Sequence, residues 1–220
     1  MHTLRVFGGI MKLEGLTVNF LGDSITEGTG TTAPDRVFHQ LIKEKYKLTH
    51  AYNYGIGGTR IARQTVPTRE NTKFDLTFEI RAEIMDKKAD AVVVFGGTND
   101  YGHGDAAFGE RDSEDIYTFT GAVNSLIKKL QRDFPNAKII FMTPLHRKGE
   151  NIPRAAAKCL SDYANAIKEI CSGYGIPVID LYEINPINPD DELLMPDGLH
   201  PSDLGHEVLA KVVGEALENL

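Results

Sequence analysis

Short apolar runs recur along the chain, each closed by glycine or proline or leading into a turn: LTVNFLG, HAYNYG, ADAVVVFGG, AKIIFMTPL and IPVIDL. They are brief and rich in β-branched or aromatic residues, which predicts buried strands. Longer stretches between them read as helices: DRVFHQLIKEKY, FDLTFEIRAEIMDKK, DIYTFTGAVNSLIKKLQRDF and AAAKCLSDYANAIKEICSGYG. In the third, Ile116, Phe119, Val123, Leu126, Ile127 and Leu130 recur at three-to-four spacing and define an inward face. The closing PSDLGHEVLAKVVGEALENL predicts a terminal helix capped by Ser202 or Asp203.

Strands alternating with helices call for a parallel sheet covered on both faces by right-handed crossovers. The expected class is therefore α/β, a three-layer α/β/α sandwich around about five parallel strands. Its 220 residues suit one domain spanning 1–220, with 1–15 as an N-terminal extension. In such sheets ligands bind beyond the carboxyl ends of the strands, so chemistry is expected just after strands or at helix starts.

Composition narrows the partners. The chain is 41% hydrophobic and 25% charged, as in soluble globular proteins. A net charge of -7 disfavours general attraction to nucleic acid or anionic lipid. No apolar run approaches the roughly 18 residues that span a bilayer, and the first residues do not read as a signal peptide. Cys159 and Cys171 fall in one helical pattern, where a rise of 1.5 Å per residue would hold them about 18 Å apart, beyond disulfide reach. Reduced thiols and a cytoplasmic location are the expectation.

Three post-strand loops and one C-terminal pair carry the candidate chemistry. VNFLGDSITEGTG places Asp23 and Ser24 after the first clear strand, a setting open to a nucleophile, a phosphate cradle or an ordinary turn. NYGIGGTR supplies Gly57, Gly58 and Arg60, and GGTNDYGHG supplies Asn99, Tyr101 and His103. PDGLHPSDLGH holds Asp197 three residues before His200. A serine hydroxyl needs a base to take its proton, and histidine, with a pKa near neutrality, is the usual one. The base needs a carboxylate to fix its tautomer, and acyl transfer needs donors for the charge growing on the carbonyl oxygen. Ser24, His200 and Asp197 fit the first three roles. The Ser24 and Gly58 N–H groups and the Asn99 amide fit the last.

Together GDSI, NYGIGG, GGTND and DGLHP, in this order from Gly22 to Pro201, resemble the GDSL, or SGNH, hydrolase superfamily of esterases and acylhydrolases. The resemblance implies a flavodoxin-like α/β/α fold and a serine esterase with Ser24 as nucleophile, His200 as base and Asp197 as its partner. It also implies an oxyanion hole of Ser24, Gly58 and Asn99. The glycine block departs from the Ser-Gly-Asp or Ser-Gly-Asn often found there, and a one-residue slip would choose Gly57 over Gly58. The substrate would be a small-molecule ester with a short acyl group, acetyl on a carbohydrate among them, with lysophospholipase and thioesterase as alternatives within the family.

Other histidines compete with His200. His103, on a strand-end loop, is the serious rival, but it lacks an aspartate at the C-terminal pair's spacing and suits a substrate contact better. Arg60 and Tyr101 are further candidate pocket residues. Asp23 suits bonding of loop N–H groups and is kept among the substrate contacts. No metal and no cofactor are expected: the acids of NPINPDDE have no His or Cys at ligand spacing, and no HExxH is present. Thr26 stands where the α/β-hydrolase elbow G-x-S-x-G has its last glycine. A P-loop would need a G-K-[ST] ending, and a non-catalytic flavin binder would leave Asp197 and His200 without a role.

Overall fold

The computed structural model describes residues 11–68, 72–154 and 156–220. These residues form one five-stranded parallel sheet in the order β2-β1-β3-β4-β5. The strands are β1 (Thr17–Gly22), β2 (His50–Gly55), β3 (Ala91–Phe95), β4 (Lys138–Met142) and β5 (Val178–Ile179). The helices are α1 (Ser24–Glu27), α2 (Phe38–Tyr46), α3 (Phe78–Arg81), α4 (Thr98–His103), α5 (Phe119–Asp133), α6 (Leu160–Gly173), α7 (Leu181–Ile184) and α8 (Asp203–Glu218).

Alternation along β3 sorts the two cores. Val92 and Val94 face the layer holding Phe78, Phe119, Leu126 and Ile167, from α3, α5 and α6. Ala91, Val93 and Phe95 face Phe38, Ile42, Leu209 and Val213, from α2 and α8. Both faces of the strand are buried, which is why ADAVVVFGG reads as a continuous apolar run. Ser202 caps α8, its side chain accepting from the Gly205 N–H.

Two expectations need correcting. The FDLTFEIRAEIMDKK segment does not form one helix: a 3-10 turn covers Thr72–Asp75 and α3 only four residues. Its groups have stronger partners elsewhere. The Asp75 carboxylate accepts from the Thr68 N–H and hydroxyl, Arg81 Nε donates to the Leu76 carbonyl, and Lys87 Nζ takes the Ala82 carbonyl. The last apolar run keeps only Val178–Ile179 as strand, because Asp180 turns to cap α7 by accepting from the Glu183 N–H. Of the N-terminal extension expected over 1–15, residues 1–10 lie outside the described residues. Residues 11–15 belong to the packed body, since Leu13 is buried and the Met11 N–H donates to the Glu218 carbonyl.

The sheet order fixes where a site can form. The chain runs outward from β1 to β2 and then crosses to β3 on the other side, so the loops after β1 and β3 diverge and leave a crevice. Gly22 pairs with Gly55 and with Phe95, so the three strands end level and their loops emerge side by side.

Candidate active site

Ser24 opens α1 directly after β1, held there by Asp23, whose Oδ1 accepts the Ile25 N–H at 3.1 Å. The other half of the pair arrives from the far end of the chain. Thr32, in the loop after α1, donates through its N–H and hydroxyl to the Asp203 carboxylate at 2.9 and 2.6 Å, tying that loop to the start of α8. Asp197 shapes the turn before it: Oδ1 accepts the N–H groups of Leu199 and His200 at 2.9 and 2.7 Å. Its Oδ2 lies 2.6 Å from His200 Nδ1, and His200 Nε2 lies 3.0 Å from Ser24 Oγ.

A carboxylate at Nδ1 requires the proton there, which leaves the Nε2 lone pair facing the serine hydroxyl. Partial burial pushes the Asp197 carboxyl up, but hydrogen bonds from the His200 N–H, the His200 ring and the Leu199 N–H outweigh it and hold the group below its usual range. Asp197 is thus an ionised acceptor.

N–H donors line the same cleft, of about 510 Å³, which includes Ser24, Gly58, Asn99 and His200. The Gly57 N–H is already taken, by Glu27 Oε2 at 2.8 Å. The Gly58 N–H meets no acceptor among the described residues. Gly58 has φ +75, and a Cβ there would fall 2.3 Å from the Phe74 ring, so only glycine fits. The Ser24 N–H opens a helix, where the first amides have no intrahelical partner. Asn99 donates one Nδ2 hydrogen to the Thr59 carbonyl at 3.0 Å and keeps the other.

His103 lines the cleft with both ring nitrogens engaged. Arg60 Nη1 can only donate, so His103 Nδ1 accepts it at 2.9 Å, and Nε2–H donates to Asn99 Oδ1 at 3.1 Å. Burial, then the charges of Arg60 and Arg147, push this imidazole's pKa down and keep it neutral. His103 therefore aims the Asn99 amide and does not reach Ser24.

Three sequence candidates do not line the cleft. Arg60 is buried and spends its guanidinium on His103, on Thr68 and, at 3.9 Å, on Asp75. The Tyr101 hydroxyl lies 2.5 and 2.9 Å from the Gly149 and Ile152 carbonyls, pinning that loop. Asp23 is enclosed beneath α1. Conversely, Glu27, Phe74, Arg81 and Arg147 stand at or beside the site without belonging to any of the four motifs. Arg81, buried at 3% exposure, donates to the Gly22 carbonyl at 2.6 Å, to the Tyr54 carbonyl and to Thr59 Oγ1 at 2.8 Å, joining the ends of β1 and β2 to the glycine loop. An arginine in an apparent helical stripe gave no sign of that. The Glu27 acceptor, three residues after Ser24, was signalled only by the acid in TEG.

Burial raises the Asp23 and Asp100 carboxyls to about 6 each. Between the unfolded value near 3.8 and about 6 the native state binds more protons than the unfolded chain. Stability from each group is therefore present at pH 4 and falls as pH climbs through 6, by on the order of 3 kcal/mol. Urea unfolding of Asp23→Asn is expected to show a shallower fall in stability between pH 4 and 7 than the parent. An unchanged slope would contradict this.

Among the described residues no group of three or more His, Cys, Asp and Glu side chains is placed to hold a metal ion. No helix among them is long and apolar enough to cross a membrane.

The model of the GDSL-like lipase/acylhydrolase family matches residues 20–208. One solved structure is 34% identical, covering 94% of this chain and 98% of its own, with a TM-score of 0.82. A protein from Lactobacillus plantarum is 28% identical over 93% of this chain and 97% of its own, with a TM-score of 0.77. An acetyl xylan esterase, AlAXEase, is 25% identical over 92% of this chain and 100% of its own, with a TM-score of 0.64. No curated protein sequence matches.

Proposed function

The chain belongs to the GDSL-like lipase/acylhydrolase family and is an ester-cleaving hydrolase, and from that premise we propose a serine esterase that removes short acyl groups, acetyl above all, from a carbohydrate. One observation carries the reading: Ser24 Oγ, His200 Nε2, His200 Nδ1 and Asp197 Oδ2 lie in line at 3.0 and 2.6 Å. Ser24 Oγ attacks the carbonyl carbon as His200 Nε2 takes its proton, and Asp197 stabilises the imidazolium. The oxyanion is met by the N–H groups of Ser24 and Gly58 and by Asn99 Nδ2. His200 then protonates the departing alcohol, and takes a proton from the water that releases the acid from Ser24. Residues 1–220 act as one hydrolase domain, and two free cysteines suit a reducing, cytoplasmic setting.

The Phe74 ring supports the short-acyl reading. With the leaving alcohol directed to His200 and the carbonyl oxygen to Gly58, the acyl chain runs away from His200, towards the Phe74 ring packed on Gly58. A ring at that position would abut a long acyl chain before it would an acetyl group. The similarity to an acetyl xylan esterase favours acetyl on a sugar.

A panel of 4-nitrophenyl esters from acetate to octanoate tests this. Acetate should be preferred, and Phe74→Ala should raise the octanoate-to-acetate ratio of kcat/KM by about tenfold or more. Equal rates along the parent's series, or an unmoved ratio in the variant, would contradict the short-acyl reading.

A further inference from the structure

Arg147 has no role in the chemistry above, yet it lines the cleft. Its backbone is fixed by its N–H donating to Glu150 Oε2 at 3.0 Å. Its Nη1 donates to the Thr98 carbonyl and Thr98 Oγ1, both at 3.1 Å. These partners hold the guanidinium in place and, at Nη1, neutralise nothing. Among the described residues no carboxylate lies within ion-pair distance of it. The acids whose charge reaches it are Asp23, enclosed with its Oδ1 on the Ile25 N–H, and Asp197, held by His200, while Glu150 Oε1 is taken by His146 at 2.6 Å. Among the described residues Arg147 Nε is buried without a partner, and a Cβ on Gly102 would fall 2.7 Å from Nη1, so the guanidinium packs close against α4.

Placement by strand separates Arg147 from the Glu27 carboxylate. Arg147 follows β4, and Arg154, from the same loop, shares the Tyr101 ring with it. Glu27 sits at the β2 side, on the Gly57 N–H. With β1 and β3 between them, the two ends are separated by about three strand spacings, roughly 14 Å. An anion bound at the β4 end is thus well clear of the carboxylate at the β2 end.

A partly buried guanidinium preset by neutral acceptors, with donors to spare, suits a planar or tetrahedral oxyanion. We propose that Arg147 binds an anionic group, carboxylate or phosphate, on the alcohol portion of the substrate, making the enzyme a deacylase of acidic or phosphorylated sugars. This rests on the esterase reading above. The ester's acyl side faces Phe74, so the charged group belongs to the leaving alcohol.

The test compares kcat/KM, by acetate release, for acetylated glucose, acetylated glucuronate and acetylated glucose 6-phosphate, with 4-nitrophenyl acetate as reference. One of the two charged sugars should exceed the neutral one by about tenfold to a hundredfold, the scale of a charge-assisted hydrogen bond; which one identifies the anion. The preference should shrink with added salt and fall close to unity in Arg147→Gln, whereas Arg147→Lys should keep part of it. Each ratio carries its own control, because the neutral sugar reports any general damage in the same variant. Equal kcat/KM for neutral and charged sugars in the parent, or a preference that survives Arg147→Gln, would overturn the proposal while Ser24-dependent hydrolysis of 4-nitrophenyl acetate leaves the esterase reading standing. Loss of that hydrolysis from the parent would overturn both.

Discussion

Ser24→Ala is expected to lower kcat on 4-nitrophenyl acetate by a factor on the order of 10⁴ to 10⁶ while leaving thermal unfolding nearly unchanged. The size follows from what remains. Without Oγ no acyl-enzyme forms, and the oxyanion donors can only assist direct attack by water. The side chain is small and touches His200 Nε2 at 3.0 Å, so its loss opens almost no cavity. A stopped assay read over hours separates residual turnover from background, with circular dichroism confirming the fold. Retention of more than a few per cent of activity would remove Ser24 from the mechanism.

The second large effect separates two substitutions at one position. Asp197 Oδ1 is held by two backbone N–H groups and Oδ2 by the imidazole. In Asp197→Asn the backbone donors demand the amide oxygen on their side, which turns the NH₂ towards Nδ1. The imidazole must then accept there and carry its proton on Nε2, the wrong tautomer to take one from Ser24. A loss on the order of 10⁴ in kcat is expected. Asp197→Ala imposes no tautomer, and the Asp197 side chain is 55% exposed, so water can reach Nδ1. It should therefore retain more activity than Asp197→Asn. Equal losses in the two variants would show that the carboxylate's charge, which both lack, dominates, and the reverse order would contradict the tautomer argument.

Much of this was legible because the strands are short, apolar and buried on both faces, so their ends could be located along the chain. Once β1, β2 and β3 were placed, the order of motifs put Ser24, Gly58 and Asn99 at one edge of the sheet. The close spacing of Asp197 and His200 made their pairing visible as a local event. What stayed hidden depends on long-range demand. Arg81 looks like one more residue in a helical stripe, but it serves carbonyls at the ends of β1 and β2, 59 and 27 positions away in sequence, and the helix around it shrinks to four residues. Tyr101 and Arg60 stand beside motif residues and yet point elsewhere, because side chains on a short helix and a turn face several directions. His103 lines the cleft, but only the Arg60 donor on its far nitrogen shows that its other nitrogen donates to Asn99. The motif alone does not separate Gly57 from Gly58; only the fold shows that Glu27 Oε2 occupies the Gly57 amide.

One serine hydroxyl, delivered to an imidazole 176 positions later in the chain, is expected to become covalently acylated. Intact-mass measurement after treatment with an organophosphonate fluoride tests it most directly. A single adduct mapping to Ser24, absent from Ser24→Ala and much slower to form in His200→Ala, is the expected result. An adduct on another residue, or none while ester hydrolysis continues, would contradict the account.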